Sequence, residues 1–276
     1  LNSTFHGNYQ LTHIPSGFSA PVATGCSSTF QECLNLVALP NDFSFPAARN
    51  INSLFKRCHN LSSPVTIDSP NLTSCTGVFE SCSKLKEVHI KNLGSARHFR
   101  GMATGCLELQ KLTWDNASTY QPTGVDSMFR SCVKLRDIPE LDFSEVVNAN
   151  SAFTSCSSII NFPFTIDLSK VQYTRQMFYS CLNLQSVNFK NVGLNRTNNT
   201  FNTEFMFRYC EKLESVSGLF ENDPSTPKFM RTMFEGCTSL QDVSNFVVSG
   251  NTSTSSNNSH LFRSCNQLRA LPKEIN

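Results

Sequence analysis

The segment MFRSCVKLRDIPELDFSEVVNANSAFTSCSSI, residues 128–159, contains two copies of the pattern that decides the fold. In each copy Cys follows Phe by three residues, and Leu or Ile follows Cys by three more, as in Phe129-Cys132-Leu135 and Phe153-Cys156-Ile159. The same pattern recurs at seven other places: Phe30-Cys33-Leu36, Phe55-Cys58-Leu61, Phe79-Cys82-Leu85, Phe178-Cys181-Leu184, Phe207-Cys210-Leu213, Phe234-Cys237-Leu240 and Phe262-Cys265-Leu268. With the variants Ala103-Cys106-Leu109 and Phe5-Asn8-Leu11, the chain has eleven motifs spaced by 24 to 29 residues. This period predicts a solenoid, because one unit is too small to bury its own apolar face and stacks on its neighbours.

The residues around each motif predict the structure of one unit. After the motif, apolar residues alternate, as at Val88 and Ile90, which predicts a half-buried strand. Before the Phe, apolar residues are three and four apart, as at Val146, Ala149 and Phe153, which predicts a short helix with one apolar face. The predicted fold class is therefore α/β: a leucine-rich-repeat solenoid of about eleven strand, turn and short-helix units in a single curved array.

The motif also carries a resemblance to a known family. Residues 128–159 and the segment FTIDLSKVQYTRQMFYSCLNL, residues 164–184, resemble the BspA-like leucine-rich repeats of bacterial, protist and viral surface proteins. The most specific part is the Met-Phe-x-x-Cys-x-x-Leu core with an Asp-Leu/Phe-Ser-x-Val lead-in, and the resemblance covers nearly the whole chain. It implies a non-enzymatic surface protein that acts in adhesion or in receptor or ligand binding, and it implies no catalytic residues.

Chain length and composition limit which domain organisations and which classes of partner are possible. We predict one solenoid domain over residues 1–276, either part of a longer chain or uncapped at both ends, because a solenoid grows in length without splitting. A net charge of +2 without runs of Lys or Arg argues against nucleic acid or an anionic membrane as partner. No apolar run approaches the ~20 residues of a membrane span. An extracellular or cell-surface location is expected, with a virion surface as the alternative.

The chain has twelve cysteines, ten of which occupy the same position of the motif. Equivalent cysteines in neighbouring units would lie on helices about 8–10 Å apart. A disulfide needs Cα atoms within roughly 7 Å, so this arrangement disfavours disulfides. We therefore predict that all twelve are buried thiols that serve as small apolar side chains.

No residue set in the sequence predicts catalysis or a cofactor. The six histidines show no paired spacing for a metal or a catalytic base, and His89 is expected to point outward from its strand. Acidic residues recur once per unit, which is too sparse for calcium, and we interpret them as turn residues that bind local backbone. These acidic residues are Asp68, Asp115, Asp142 and Asp167. The predicted catalytic, cofactor and metal sites are therefore none.

The outward positions of the predicted strands differ from unit to unit. A regular frame with variable side chains is typical of a binding face. We predict a ligand-binding patch with a central strip of Lys86, Lys111 and Arg136 and with Glu87 and Asp137 beside it. The expected partner is a protein or glycan on a host or cell surface, and a merely solvated sheet surface is the alternative. A second hypothesis is a structural or decoration component of a virion or filament, which self-associates or binds other subunits through the solenoid ends.

Overall fold

The strands of the chain are short, and they pair in parallel. A computed structural model describes residues 1–115, 120–192, 201–219, 229–248, 258–272 and 274–275. The strands within these ranges are β1 (Val65–Asp68), β2 (Glu87–Asn92), β3 (Lys111–Trp114), β4 (Ile166–Asp167), β5 (Ser186–Lys190), β6 (Ser215–Ser217), β7 (Val247–Val248) and β8 (Glu274–Ile275). Each strand pairs with a strand in a neighbouring turn of the solenoid, and such a turn is called a coil below.

The chain forms two compact units, Leu1–Leu141 and Asp142–Asn276. Unit 1 contains a sheet of strand order β1-β2-β3. Unit 2 contains a sheet of order β4-β5-β6 and the pair β7-β8. A single domain over residues 1–276 stays a prediction.

The predicted alternation is confirmed in the longer strands. Val88 and Ile90 of β2 are buried, and their register partners in β3 are Leu112 and Trp114. The first coils have only isolated bridges in place of strands, for example His13 with Ala38 and Ser19 with Ser44. At Val243 and Phe246 the chain forms a turn, because the Phe246 amide donates to the Val243 carbonyl at 2.9 Å.

The predicted short helices are absent from the described residues, where the motifs form successive turns. Around Phe30, the amides of Ser28, Phe30 and Glu32 donate to the next coil at 2.8 to 3.0 Å. In an α-helix each of these amides would instead donate to the carbonyl four residues earlier in its own chain segment. The prediction of eleven strand, turn and short-helix units is therefore wrong in its helices, and the count of eleven remains a count of sequence motifs.

A change in the sign of the backbone dihedral φ explains why these segments do not form helices. Ser28 has a φ of 53° and Glu32 a φ of 61°, so left-handed residues stand two positions before and two positions after Phe30. Left-handed residues interrupt a right-handed helix, and here they direct alternate amides toward the next coil. The same reversal recurs two residues before the Phe position at Ser3, Ser53, Gly77, Gly101, Ser127, Ser151, Gln176, Phe205, Thr232 and His260. It recurs two residues after that position at Gly7, Arg57, Ser81, Gly105, Ser131, Ser155, Ser180, Tyr209, Gly236 and Ser264.

The core of each unit is a column of phenylalanine rings, one from each coil. Consecutive rings stack with centroids 5.3 to 5.9 Å apart and planes within 12° of parallel, as at Phe30 with Phe55 and Phe178 with Phe207. Ala103 interrupts the column in unit 1. Phe99 and Trp114 of the same coil are buried with centroids 5.7 Å apart, and we infer that they fill the volume of the missing ring.

Candidate functional site

The five predicted ligand-binding residues lie on adjacent coils of unit 1, and all five are exposed. Glu87 of β2 is in register with Lys111 of β3, and Lys111 forms a bridge with Asp137 of the following coil. The Lys86 carbonyl accepts from the Gln110 amide at 2.8 Å, and the Gln110 carbonyl accepts from the Arg136 amide at 3.0 Å. Backbone pairing therefore fixes the order of these charges, and we call the five predicted residues the strand-face patch.

The register corrects the predicted arrangement of the strand-face patch. Lys111 does not align with Lys86 and Arg136 in one strip, because it lies in the row of the two acids. One row is thus acid, base, acid, and the other has two bases around Gln110. Among the residues that the structure describes, none of the five side chains forms an ion pair or a side-chain hydrogen bond. Their charged groups are available to a ligand.

Charges on the motif side of unit 1 differ in this respect. The Nζ of Lys56 lies 3.0 Å from a carboxylate oxygen of Glu80 in the next coil. Further pairs between neighbouring coils are Arg57 with Glu32 at 3.0 Å, Arg100 with Asp126 at 3.1 Å and Lys134 with Glu108 at 2.7 Å. Exposed pairs of this kind contribute little stability each, but the acid and the base of each pair neutralise each other.

A histidine cluster beside the strand-face patch was not predicted. His89 points outward from β2, as expected, and is half-buried. Its Nδ1 lies 3.0 Å from Thr113 Oγ1, and its Nε2 lies 3.7 Å from Asp115 Oδ1. Both partners lie on the next coil. The one-coil spacing between His89 and Thr113 is therefore the feature of the sequence that could have indicated this cluster. The cluster holds the imidazole in place on the exposed sheet, and it fixes the side chain that stands two residues after Glu87.

The cysteines of the motif have a more specific role than small apolar side chains. Cys58 Sγ donates a hydrogen bond to the Phe30 carbonyl of the preceding coil at 3.0 Å. Eight other thiols donate to the equivalent carbonyl at 3.0 or 3.1 Å: Cys33, Cys82, Cys106, Cys132, Cys181, Cys210, Cys237 and Cys265. We call this series the thiol ladder. No disulfide joins any of the twelve cysteines, all of which lie within the described residues, and the predicted burial is confirmed for eleven, whereas Cys265 is partly exposed.

Burial makes these thiols poor nucleophiles. Desolvation raises the pKa of Cys75, Cys106 and Cys181 to about 12, although backbone hydrogen bonds at Cys82 and Cys156 of the preceding coils act to lower the pKa of Cys106 and Cys181. A thiol reacts through its thiolate, which such pKa values make scarce at neutral pH. The thiol ladder is thus suited to holding coils together and unsuited to covalent catalysis.

Two of the four recurrent acidic residues, Asp142 and Asp167, show the local bonds that the turn interpretation predicts. Oδ1 of Asp142 accepts from the Ser144 amide at 2.9 Å, and Oδ1 of Asp167 accepts from the Ser169 amide at the same distance. Within the described ranges no group of three His, Cys, Asp or Glu residues is placed to hold a metal ion. In those ranges there is also no helix with the length and apolarity to cross a membrane.

Parallel coils, a buried Phe column and an exposed strand face define a leucine-rich-repeat-like β-solenoid. The sequence family described as Mycoplasma protein of unknown function, DUF285, matches residues 24–161, 96–215 and 164–271. Because these matches together span residues 24–271, the chain belongs to this family. No curated protein is significantly similar to the chain in sequence.

One solved structure shows the same fold, and a second is reported beside it. A leucine-rich repeat protein from Bacteroides ovatus ATCC 8483 is 19% identical with a TM-score of 0.50, and the match covers 99% of this chain and 77% of that one. A leucine rich cell surface protein from Faecalibacterium prausnitzii A2-165 is 16% identical with a TM-score of 0.37, over 99% and 82% of the two chains. The predicted membership in the BspA-like leucine-rich-repeat group is confirmed by the family match and the Bacteroides structure.

Proposed function

We propose that this chain is a non-enzymatic, surface-exposed binding protein, and that its strand-face patch contacts a protein or glycan on a host or cell surface. The observation that carries this proposal is the contrast in charge pairing within unit 1. Four basic residues of the motif side pair with acids of neighbouring coils, whereas the five charges of the strand-face patch have no partner within the described residues. Unpaired charges in a fixed register are complementary to a ligand with a matching charge pattern.

The mixed signs of the patch favour a specific partner over a polyanion. One row is acid, base, acid and the other has two bases, so a uniformly charged ligand would be repelled by part of the surface. Like charges that meet across an interface cost several kcal/mol, which is how such a pattern rejects wrong partners. Surface location is proposed for the same reason as adhesion: the family resemblance implies both.

The proposal is tested by cell binding. The fluorescently labelled chain is added to cultured epithelial cells, and bound fluorescence is measured by flow cytometry over a range of concentrations. We expect saturable binding that falls by about tenfold when Lys86, Lys111 and Arg136 are changed to Ala, since 1.4 kcal/mol corresponds to a factor of ten. Pretreatment of the cells with protease or with periodate separates a protein ligand from a glycan.

A matched variant controls for the loss of charge. Arg49, Arg130 and Lys212 are exposed, lie outside the strands and form no ion pair within the described residues. Their simultaneous change to Ala removes the same net charge and should leave binding within about twofold, because few residues of an interface carry its energy. Equal losses in both variants, or binding unaffected by the strand-face changes, would contradict the proposal.

Assembly through the solenoid ends, as a virion or filament component, stays the alternative proposal. It is tested by light scattering of the purified chain at several concentrations. A defined oligomer whose mass is unchanged by the strand-face variant would favour assembly over ligand recognition.

A further inference from the structure

Unit 2 has a second charged surface, on the motif side of its coils, that the proposed function does not use. Four successive motifs each carry an arginine within three residues of the Phe position: Arg175, Arg208, Arg231 and Arg263. We call these four residues the arginine patch. Arg175 and Arg231 stand three residues before their Phe, and Arg208 and Arg263 stand one residue after theirs, so the arginines alternate between two neighbouring columns.

Acids are present in both columns, but they are too few to neutralise the arginine patch. Glu204 lies between Arg175 and Arg231 in one column, and its Oε2 is 3.8 Å from Arg175 Nε. Glu235 lies between the other two arginines, 2.9 Å from Arg208 and 3.8 Å from Arg263. Four arginines and two glutamates leave an excess of two positive charges. The motif side of unit 1, in contrast, pairs each Lys or Arg of its ion pairs with a separate acid.

Two aromatic residues hold part of the arginine patch in position. The guanidinium of Arg208 lies 4.6 Å from the centroid of Tyr209 and 5.6 Å from that of Phe205, and Arg175 lies 5.3 Å from Phe205. Stacking on a ring limits the conformations of the guanidinium, and Nη2 of Arg208 also donates to the Tyr209 hydroxyl at 2.8 Å. The side chain of Arg175 nevertheless remains 53% exposed.

The backbone at these rings is strained, which sets them apart from the equivalent residues of unit 1. Phe205 has a φ of 59° and Tyr209 a φ of 64°, a conformation that is unfavourable for bulky side chains. The corresponding residues of unit 1 are mainly Ser and Gly. A Cβ at Gly236 would lie 2.7 Å from Tyr209 Cδ1, so this glycine makes room for the ring. The left-handed backbone is common to every motif, so what distinguishes this surface is the pair of bulky rings that such a backbone disfavours.

We propose that the arginine patch binds an acidic polysaccharide along the axis of unit 2. Paired strands lie about 4.8 Å apart, so a linear polymer along the coils meets one arginine per coil. Guanidinium groups recognise sulfate and carboxylate oxygens through paired N–H donors. The excess of two charges is small beside the roughly four to eight basic residues of a membrane-binding cluster or the roughly six to ten phosphate contacts of a DNA-binding protein. A polyuronate has about one carboxylate per sugar, a wider spacing than the one charge per ~1.7 Å of double-stranded DNA, and it suits this small excess better.

The test measures fluorescence anisotropy of a fluorescein-labelled heparin decasaccharide and of an oligogalacturonate of the same length, with maltodecaose as the neutral competitor. The oligogalacturonate carries carboxylates alone and heparin carries sulfates as well, so a comparison of the two shows whether sulfate adds to carboxylate recognition. We expect Arg231→Gln with Arg263→Gln to weaken binding of the preferred probe by about tenfold, the factor for 1.4 kcal/mol. These two side chains do not stack on Phe205 or Tyr209, so their removal leaves the ring contacts in place.

The matched control is Arg49→Gln with Arg130→Gln, which removes the same charge from unit 1 and should change affinity by less than about twofold, because binding energy is concentrated in few residues. Equal losses in both variants would show binding by net charge alone and would overturn the proposal. Absence of binding by both saccharides at low salt would overturn it too. So would tighter binding of a single-stranded oligonucleotide of equal charge, which would assign the surface to nucleic acid.

A second variant tests the role of the rings. Phe205→Ser with Tyr209→Ser introduces the residue found at these positions in several other coils. We expect weaker saccharide binding together with an unchanged or higher melting temperature, because strain is relieved while the support of the arginines is lost. A lower melting temperature with unchanged affinity would show that the rings only pack, and would contradict the proposal. The strand-face variant should keep its affinity for the saccharide.

Discussion

The motif side and the strand side of each coil differ in how regularly they are bonded. On the motif side, left-handed residues recur around each Phe position, amides donate to the next coil, and thiols donate to the preceding one. On the strand side, some coils pair over four or more residues, as β1 and β2 do, while others meet in an isolated bridge. The repeated sequence thus marks the side that holds the coils together, and the strand side is freer to vary.

The largest expected effect concerns the Phe column. Phe178 is fully buried and stacks on Phe153 at 5.6 Å and on Phe207 at 5.3 Å. We expect Phe178→Ala to reduce the free energy of unfolding by about 3–5 kcal/mol through lost burial and the resulting cavity. Urea denaturation followed by circular dichroism measures the loss. Tyr173→Ala, at an aromatic residue that is 42% exposed, should cost under about 1 kcal/mol. Similar losses for both would contradict the assignment of stability to the Phe column.

The gap at Ala103 gives the second prediction. Ala103 is fully buried in a coil that already contains Phe99 and Trp114. Restoring the motif by Ala103→Phe should therefore destabilise the chain by about 1–3 kcal/mol, because the added ring overpacks the core. Thermal unfolding measured by differential scanning calorimetry tests this expectation. A gain in stability would show that the volume beside Ala103 is empty, and that Phe99 and Trp114 do not replace the missing ring.

The third prediction concerns the thiol ladder. Cys181 Sγ donates to the Phe153 carbonyl at 3.0 Å, and the residue is buried. Cys181→Ala removes this bond and leaves a small cavity, so we expect a loss of about 2 kcal/mol. Cys181→Ser keeps a donor and should lose less, as judged from urea midpoints. An alanine variant at least as stable as the serine variant would show that the thiol acts only as a small apolar side chain.

Alkaline pH offers a fourth test of the thiol ladder. Burial raises the pKa of Cys181 to about 12, so the folded chain keeps the thiol neutral while an unfolded chain ionises it above about pH 9. Stability is thus lost as pH rises from about 9 toward 12, by about 1.4 kcal/mol per pH unit for each such thiol. The stability difference between wild type and Cys181→Ala should accordingly shrink by about 1.4 kcal/mol between pH 8 and pH 10 in urea titrations. A constant difference would contradict the raised pKa.

The smallest effect is expected on the strand side. Lys86, Lys111 and Arg136 are exposed and form no side-chain bond within the described residues. Changing each to Ala should alter the free energy of unfolding by less than about 0.5 kcal/mol. Thermal melts of the triple variant measure this change before any binding experiment. A loss that approached that of Phe178→Ala would show that the strand side also holds the coils together.

The sequence predicted the solenoid and its strands because burial there follows a simple alternation. Val88 and Ile90 face the core, and a period of two reveals this without knowledge of the neighbours. The prediction of helices was wrong because successive turns place apolar residues toward the core with the same spacing of three and four. Ser127 and Ser131 give no local sign of a left-handed backbone. Only the glycines at equivalent positions, such as Gly101 and Gly105, carried that signal.

The candidate surfaces were harder to predict than the fold. Exposure of the strand-face patch followed from the motif, but its register did not, since coil length decides whether Lys86 or Glu87 stands beside Lys111. The cluster of His89, Thr113 and Asp115 depends on contacts between coils. The arginine patch depends on two columns that become neighbours only when motifs stack.

Each coil offers the next one the same set of backbone donors and receives the same set of acceptors from it. A segment bounded by equivalent points of two motifs, for example between Phe55 and Phe79, ends with the same bonding groups with which it begins. Duplication, deletion or exchange of such a segment by recombination would therefore preserve the ladder while it changes the number of coils and the surface they display. In-frame recombination is in this way a route by which genes of this family can diversify their surfaces without first redesigning the core.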